Sequence, residues 1–357
     1  MSLPAGGAGD PNSGSAALNE VVRAFGAAVA KGWKPLRTIV FASWDGEEYG
    51  LLGSTEWVEE YLPWLSAATV AYVNVDVGAR GPHFSASAAP LLNKAILEIT
   101  DEVQSPDQTV KGQTVRDTWD GYISTMGSGS DFTAFQDFAG IPSIDLGFGA
   151  GPKDPVYHYH SNYDSFWWMD NYGDPGFKYH ATMAKILALL TAKLAEEPVV
   201  QFNATDYALG LKGYLNRVKE KAKDLETVQS NTFDALDRAI EHFQRVSTEF
   251  DYHAAELAQL TRFRTSERSF VQLHASIRTT NTKYKLLERQ FLHAPGLDGR
   301  SWFKHVVFAP GRWTGYAGAT FPGIVESIDD KNSTNIDRWV EIVEGTIRRA
   351  TDLLIPE

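Results

Sequence analysis

The chain has 357 residues, of which 43% are hydrophobic and 22% charged, as in a folded globular protein with room for about two domains. A net charge of -12 would repel a phosphate backbone, so we expect no nucleic-acid partner. No run approaches the ~20 apolar residues of a membrane span, so we expect no membrane segment. Because cysteine is absent, any metal must be held by His, Asp and Glu.

Helical and strand-like patterns alternate over residues 1–200. Leu18, Val21, Phe25 and Val29 recur at helical spacing, and a second helix-like stretch covers 51–61. Short apolar runs predict strands within 38–44, 68–77 and 141–148. Such runs, separated by helices, predict an α/β domain with a mixed, mostly parallel sheet flanked by helices.

In residues 201–357, apolar residues recur at helical spacing, and this pattern predicts an α-helical bundle. A Gly- and Pro-rich segment at 293–323 interrupts the bundle. The apolar positions that carry the period are Leu211, Tyr214, Leu215, Val218, Phe233, Leu236, Ile240, Phe243, Ile336, Trp339, Val340, Val343 and Ile347.

Acidic residues and histidines cluster at the ends of the predicted strands, where α/β sheets usually place their sites. Two zinc ions require a bridging carboxylate, further carboxylate and imidazole ligands, and one carboxylate that is left free to act as a base. Taken singly, each residue also has a commoner role as a helix cap, a turn residue or an exposed histidine. The clustered residues are Asp10, Glu47, Glu48, Asp76, His158 and His160.

The order of the motifs resembles the glutamate carboxypeptidase II and transferrin receptor family of co-catalytic zinc peptidases. The resemblance covers nearly the whole chain and is most specific around Glu47. It implies a zinc-peptidase catalytic domain at 1–200 and a helical dimerisation domain at 201–357, with a peptide substrate and a homodimer. The motifs that carry it are at 9–14, 38–57, 74–76, 127–132, 159–164, 305–310 and 316–318.

The resemblance also implies roles for single residues at the metal centre. Asp10 matches the carboxylate that bridges two zinc ions, and Glu48 would bind one of those ions. Asp76 and His160 would bind the other ion. Glu47 matches the general base that takes a proton from a metal-activated water and passes it to the leaving amine.

On the substrate side, the family match implies contacts from Gly129, Ser130 and Tyr316. Tyr159 matches a residue that can hydrogen-bond the reacting centre. His158 competes with His160 as a ligand because both could share a strand face, but the Tyr-His-Ser match favours His160.

The chain departs from the family pattern in two respects. The remaining family ligand is a histidine some ten residues before Asp10, and residues 1–9 contain no histidine. We therefore predict weak or absent activity for this chain, with at most one tightly bound zinc. The family's lysine and arginines that grip acidic substrates align with Gly315, Asp145 and Gly147, so a preference for glutamate does not follow.

Two alternatives remain open from the sequence. The chain could be a catalytically silent relative that uses the fold for partner binding, as the transferrin receptor does. It could also be a truncated product that folds poorly, because the loss of sheet strands exposes an edge.

Overall fold

A computed structural model describes residues 7–356 except 224, 226–227 and 263–266. The α-helices are α1 Asn12–Ala30, α2 Leu52–Glu60, α3 Leu62–Ala68, α4 Asn93–Glu102, α5 Phe166–Trp168, α6 Lys178–Glu196, α7 Ala204–Ala222, α8 Asp234–Leu260, α9 Glu267–Leu287, α10 Pro322–Asp329 and α11 Ser333–Leu354. The strands are β1 Tyr72–Asn74, β2 His83–Ala88, β3 Ile123–Ser124, β4 Ser143–Gly149, β5 Phe308–Pro310 and β6 Gly318–Thr320.

The four strands of the first half form one mixed sheet in the order β1-β4-β2-β3. The β1/β4 and β2/β3 pairs are parallel, and β2 runs antiparallel to β4. The mixed, mostly parallel sheet predicted from the sequence is therefore confirmed. The predicted strands within 68–77 and 141–148 correspond to β1 and β4.

Residues 38–44 were predicted to form a strand, and this prediction is wrong. Exposure alternates along this segment, as it does in an extended chain with one face covered. No described residue forms a strand ladder with it, however, and a strand requires hydrogen bonds to a neighbour. Its end is fixed by Trp44, whose indole N–H donates to the Tyr72 hydroxyl at 3.0 Å.

Both faces of the sheet are covered. Helix α6 packs on β4, where the rings of Phe148 and Tyr179 lie 5.2 Å apart, and α1 packs on α6. Helices α2 and α3 cover the side of Tyr72, whose ring stacks on Phe135 at 3.9 Å. Along β4, Ile144, Leu146 and Phe148 point into the core, so Asp145 and Gly147 face the other side of the sheet.

The predicted helical half is also present. Helix α8 packs against both α7 and α11. All but one of the apolar positions that predicted the bundle are buried; Tyr214 is partly buried. The predicted Gly- and Pro-rich interruption contains the hairpin of β5 and β6 and the start of α10. No described helix combines the length and the apolar character needed to cross a membrane.

A buried polar cluster joins the two halves around Glu288. One oxygen of its carboxylate, Oε1, accepts hydrogen bonds from Gln136 Nε2 at 2.7 Å and from the Tyr207 hydroxyl at 2.9 Å. The same oxygen lies 3.0 Å from His305 Nε2. The Nδ1 atom of His305 accepts from the Val307 and Phe308 amides, so Nε2 carries the proton in the neutral ring.

The boundary predicted near residue 200 falls in the link between α6 and α7. One hydrophobic cluster nevertheless contains residues from both sides of this link, including Leu187 and Leu211. The division into domains at 1–200 and 201–357 stays a prediction.

Candidate metal centre

Asp10 is held in place by a second carboxylate that the sequence did not reveal as part of the site. Asp164 accepts hydrogen bonds from the Gly9 amide at 2.7 Å and from the Asp10 amide at 2.9 Å. The Tyr157 hydroxyl donates to the same carboxylate at 2.8 Å. The loop before α1 is thereby fixed, and the Asp10 side chain is only 8% exposed.

Helix α1 begins in close contact with the end of β1. A Cβ atom on Gly14 would lie 2.1 Å from the Asp76 carbonyl oxygen, so only glycine fits at this position. This approach brings Asp10 and Asp76 together. It explains physically why the loop motif contains glycine after Asp10.

Glu47 and Glu48 lie on a single 3-10 turn, Glu47–Tyr49, that follows the extended segment ending at Trp44. Gly46 begins this turn in the left-handed conformation, with φ of 68°. Both glutamates are partly buried. The turn therefore places two carboxylates of adjacent residues at the same rim of the sheet.

His160 completes a close group with two of the predicted ligands. Its Nε2 atom lies 3.3 Å from Asp10 Oδ2 and 3.2 Å from Glu48 Oε2. The ligand atoms of these three residues all lie within 4.8 Å of one another. His158 is not in this group, and its ring instead contacts Tyr163 at 5.7 Å between centroids.

Asp76 lies next to this group without belonging to it. Its Oδ2 accepts a hydrogen bond from Ser130 Oγ at 2.6 Å. Asn74 Nδ2 donates to Ser130 Oγ at 2.9 Å and to Asp145 Oδ1 at 2.9 Å. A chain of hydrogen bonds therefore links β4 to Asp76, which lies beside Asp10.

The clustered carboxylates raise one another's pKa. Burial, followed by the charges of Asp76 and Glu48, raises the pKa of Asp10 to about 7. Burial and the charges of Asp76 and Asp131 raise the pKa of Glu47 to about 8. Such a group of acids favours a bound cation, because a positive charge would offset the repulsion among the ionised forms.

The donor set fits zinc. Two carboxylates and one imidazole with mutually adjacent donor atoms offer three oxygen and nitrogen ligands of the kinds that zinc binds, and they leave a position for water. Asp131 also has a buried oxygen, Oδ1, with no hydrogen-bond partner among the described residues. That orphaned acceptor beside Glu47 is a further sign that the centre is built for a cation or a donor.

The predicted substrate residues lie around the same centre. Tyr159 is 48% exposed, and its ring stacks on His160 at 3.7 Å between centroids. The hydroxyl of Tyr316, which comes from the segment between β5 and β6, lies close enough to Tyr159 to raise the pKa of its hydroxyl, after the larger effect of burial. Gly129 lies against Tyr316, since a Cβ atom there would be 2.3 Å from the tyrosine ring.

Ser130 is almost fully buried and bonded to Asp76 and Asn74, so in this structure it contacts the metal centre's own residues. Its predicted contact with substrate, like the roles of the other site residues, stays a prediction. The sequence reasoning missed Asn74, Asp131 and Asp164. All three lie within the motifs that carry the resemblance, at 74–76, 127–132 and 159–164, but no role was assigned to them. The long-range hydrogen bonds of Asn74 and Asp164 only emerge from the fold.

Comparisons with known proteins agree with this picture. Residues 2–173 match peptidase family M28, and residues 231–355 match the transferrin receptor-like dimerisation domain. The chain is 43% identical over 354 residues to "Probable glutamate carboxypeptidase" of Arthroderma benhamiae, which covers 98% of this chain and 47% of that protein.

Two further relatives are named as different kinds of peptidase. "Probable glutamate carboxypeptidase LAMP1" of Arabidopsis thaliana is 37% identical over 97% of this chain and 48% of its own length. "Aminopeptidase NAALADL1" of Rattus norvegicus is 30% identical over 94% of this chain and 46% of its own length. The chain thus spans about half the length of these relatives. Residues 2–173 belong to peptidase family M28, and residues 231–355 belong to the transferrin receptor-like dimerisation domain family.

Proposed function

We propose that this chain forms the catalytic centre of a zinc-dependent exopeptidase, with Asp10, Glu48, Asp76 and His160 as zinc ligands and Glu47 as the general base. The observation that carries the proposal is the convergence of Asp10, Glu48 and His160, which are far apart in the sequence, within 4.8 Å. Membership of peptidase family M28 supports the reaction class.

Zinc, when bound, would polarise the carbonyl of a peptide bond and lower the pKa of water. The residues of the chain carry out the proton transfer. Glu47 lies beside the ligand group without being in it. A bound cation would oppose the raised pKa of Glu47 and favour its ionised form, and the carboxylate could then accept a proton from the attacking water. It can then deliver that proton to the leaving amine nitrogen, and no covalent intermediate is required.

Tyr159 is the second residue to which we assign a catalytic role. Burial and the neighbouring hydroxyl of Tyr316 raise the pKa of its hydroxyl, so the group stays protonated. A protonated hydroxyl can donate to the carbonyl oxygen as negative charge develops there. The stacking of the ring on His160 sets the distance between this donor and the metal ligands.

The described residues offer one imidazole in the ligand group, so we expect one tightly bound zinc ion per chain. Neither Gly315 nor Gly147 has a charged side chain, and Asp145 is acidic. These three positions therefore supply no cation for a glutamate side chain or a terminal carboxylate. We propose a peptide substrate without assigning glutamate as the residue released.

Glu47→Gln tests the mechanism, and Glu60→Gln on the exposed side of α2 is the matched control. Metal content is measured after dialysis with zinc, and hydrolysis is measured with a set of free and N-acetylated dipeptides. We expect the Glu47 variant to keep its zinc and lose at least a factor of ~100 in rate. The control should keep both properties.

Two results would contradict the proposal. If the zinc-loaded parent chain neither binds nor hydrolyses any of these peptides, the catalytically silent, transferrin receptor-like alternative is favoured; weak hydrolysis alone is already expected from the missing histidine. If Glu47→Gln retains the parent rate, Glu47 is not the base.

The match of residues 231–355 also leads us to propose a homodimer formed through the helical half. The sedimentation coefficient and molar mass of the full chain test this directly. A monomer at micromolar concentration would contradict it.

A further inference from the structure

An open cavity beside the loop that carries His160 is lined mainly by aromatic rings. Its volume of about 330 Å³ lies in the usual size range of ligand pockets. The rings come from the end of that loop, from α5 and from the π-helix Met169–Gly173 that follows it. The residues that contribute them are His158, Tyr163, Trp167, Trp168 and Tyr172.

Three of these rings are exposed instead of packed in the core. Tyr163 is 72% exposed, Trp167 is 64% exposed and Tyr172 is 48% exposed. The Trp167 and Tyr172 rings meet at an interplanar angle of 68°, and Tyr163 meets the ring of His158 at 53°. Neither pair is stacked in parallel, so the exposed rings leave faces accessible to a ligand in the cavity.

The surroundings of the cavity are acidic. Residues 154–174 contain no lysine or arginine, and none of the described residues that line the cavity carries a basic amine or guanidinium group. Asp170 is exposed on the same π-helix as Tyr172. Both the negative face of an aromatic ring and a surplus of carboxylates attract a cation. The acids of this stretch are Asp154, Asp164, Asp170 and Asp174.

The rings of the cavity have no cation of their own. Among the described residues, no arginine or lysine lies over the face of Tyr163, Trp167, Trp168 or Tyr172. The neighbouring ring of Tyr157, in contrast, has the Arg80 guanidinium at 4.7 Å from its centroid. The cavity therefore offers ring faces to a cation that must come from a bound molecule.

One compact loop carries both the cavity and the candidate metal ligand. The Ser161 hydroxyl donates to the His158 carbonyl at 2.8 Å, and the Tyr163 amide donates to Ser161 Oγ at 3.2 Å. His160 lies between these residues and belongs to the group with Asp10 and Glu48. A ligand in the cavity would thus contact residues on either side of His160 in the sequence.

Neighbouring rings lead from the metal centre to the wall of the cavity. The ring of Tyr159 lies 3.7 Å from His160 and 6.3 Å from Tyr157, and the ring of Tyr157 lies 5.6 Å from Trp168. An extended peptide covers about 3.3 Å per residue. The cavity is therefore within reach of a side chain that is a few residues away from a peptide bond at the centre.

We propose that this cavity binds the cationic side chain of a lysine or arginine in the peptide substrate, a few residues from the cleaved bond. This inference rests on the proposed peptidase function and names its substrate class. The aliphatic part of such a side chain would pack on the exposed rings, and its charged end would lie against a ring face. Gly315, Asp145 and Gly147 place no opposing cation at the centre.

The test compares hexapeptides of alanine that contain one lysine or, at the same position, one norleucine, which has the same four-carbon chain without the ammonium group. Trp167→Leu keeps an apolar side chain and removes the ring face, and Trp167→Phe keeps a ring. Tyr252→Leu is the control, because Tyr252 is also exposed but lies on α8 in the helical half. The readout is the ratio of kcat/KM for the lysine peptide over the norleucine peptide.

We expect the parent to favour lysine at one or two positions of the peptide, and Trp167→Leu to lower that ratio by about 3- to 30-fold, the range of a cation-π contact. Trp167→Phe should keep part of the preference, and Tyr252→Leu should leave it as in the parent. If Trp167→Leu slows both peptides in parallel and leaves the ratio within about twofold, the cavity is only an apolar contact, and the proposal is overturned.

A binding measurement separates this inference from the proposed function. Calorimetric titration of the zinc-loaded Glu47→Gln chain with the same lysine and norleucine peptides requires no turnover. Tighter binding of the lysine peptide that disappears with the added change Trp167→Leu supports the role of the cavity even if hydrolysis is never observed. Equal or undetectable binding of both peptides refutes it, whether or not the parent hydrolyses them.

Discussion

The substitution Asp145→Asn should make the stability of the chain less sensitive to pH. Asp145 lies on β4 and accepts a hydrogen bond from Asn74 Nδ2 at 2.9 Å. Burial and the charge of Asp76 raise its pKa to about 7, against the ordinary value of 3.8. The folded chain therefore holds this proton more tightly than the unfolded chain does.

The sign and size of the effect follow from that difference. The raised pKa means that stability is full below pH 4 and falls as the pH rises towards 7, because ionising the group costs more in the folded state. A difference of about three pKa units, at about 1.4 kcal/mol each, corresponds to a loss of about 4 kcal/mol. An asparagine oxygen can still accept from Asn74, so the variant avoids this loss while keeping the bond.

Urea unfolding at pH 5 and pH 8, followed by tryptophan fluorescence, measures the effect. Other acids with raised pKa values, such as Asp10, titrate in both proteins. The informative quantity is therefore the difference between parent and variant in the stability lost from pH 5 to pH 8. We expect the parent to lose about 2–3 kcal/mol more than the variant between the two pH values, because part of the total loss has already occurred at pH 5. Asp352→Asn, which removes an equal charge from an exposed position on α11, controls for net charge. Identical losses in parent and Asp145→Asn would refute the reasoning.

Three further outcomes are expected. Glu288→Leu should lower the free energy of unfolding by about 3–5 kcal/mol in urea titrations, because three buried donors lose their acceptor, whereas Glu288→Gln should cost less than about 1.5 kcal/mol. Gly14→Ala should lower the melting temperature and weaken zinc binding measured by competition with a chelator, because its Cβ would clash with the Asp76 carbonyl. Removal of zinc by a chelator should lower the melting temperature of the parent, and added zinc should restore it, because the ion binds only the folded site.

Much of the fold could be predicted from the chain because its local patterns agree with its tertiary packing. The apolar spacing of α1 and α11 and the short runs at β1 and β4 are each strong signals, and each element was found. Strands β2 and β3 were missed. His83–Ala88 contains no β-branched residue, and Ile123–Ser124 is only two residues long, so neither produces a pattern.

The strand predicted at 38–44 was wrong for the opposite reason: here the sequence pattern was clear, but the described residues form no strand. The segment has a strand-like composition, and its exposure alternates, but sequence patterns report the preference of a segment and not whether a neighbour lies alongside. In the described structure its side chains pack on tertiary partners, for example Trp44 on Phe135 at 6.1 Å. The sequence therefore predicted an extended segment correctly, but the assignment of a strand to that segment was wrong.

At the candidate site, the sequence analysis identified the metal-binding and catalytic candidates, because their side chains are chemically distinctive. It did not identify the residues that hold those candidates in position. Asp10, Glu48 and His160 were all expected at one metal centre and lie close together, although the resemblance placed His160 on the same ion as Asp76 and Glu48 on the other ion. Asp164 and Asn74 were not expected, since an Asp in a loop or an Asn in a strand is uninformative until its partners are known. Their partners lie 154 and 71 residues away in the chain, a separation that no local pattern reports.

Asp164 links two loops of the candidate metal centre. Through three hydrogen bonds it ties the Asp10 loop to Tyr157. A movement of the loop that carries Tyr157 would therefore shift Asp10 as well. Loss of the Tyr157 hydroxyl in Tyr157→Phe should accordingly weaken zinc binding measured by competition with a chelator, whereas an Asp10 loop held independently of Tyr157 would bind zinc as tightly as the parent does.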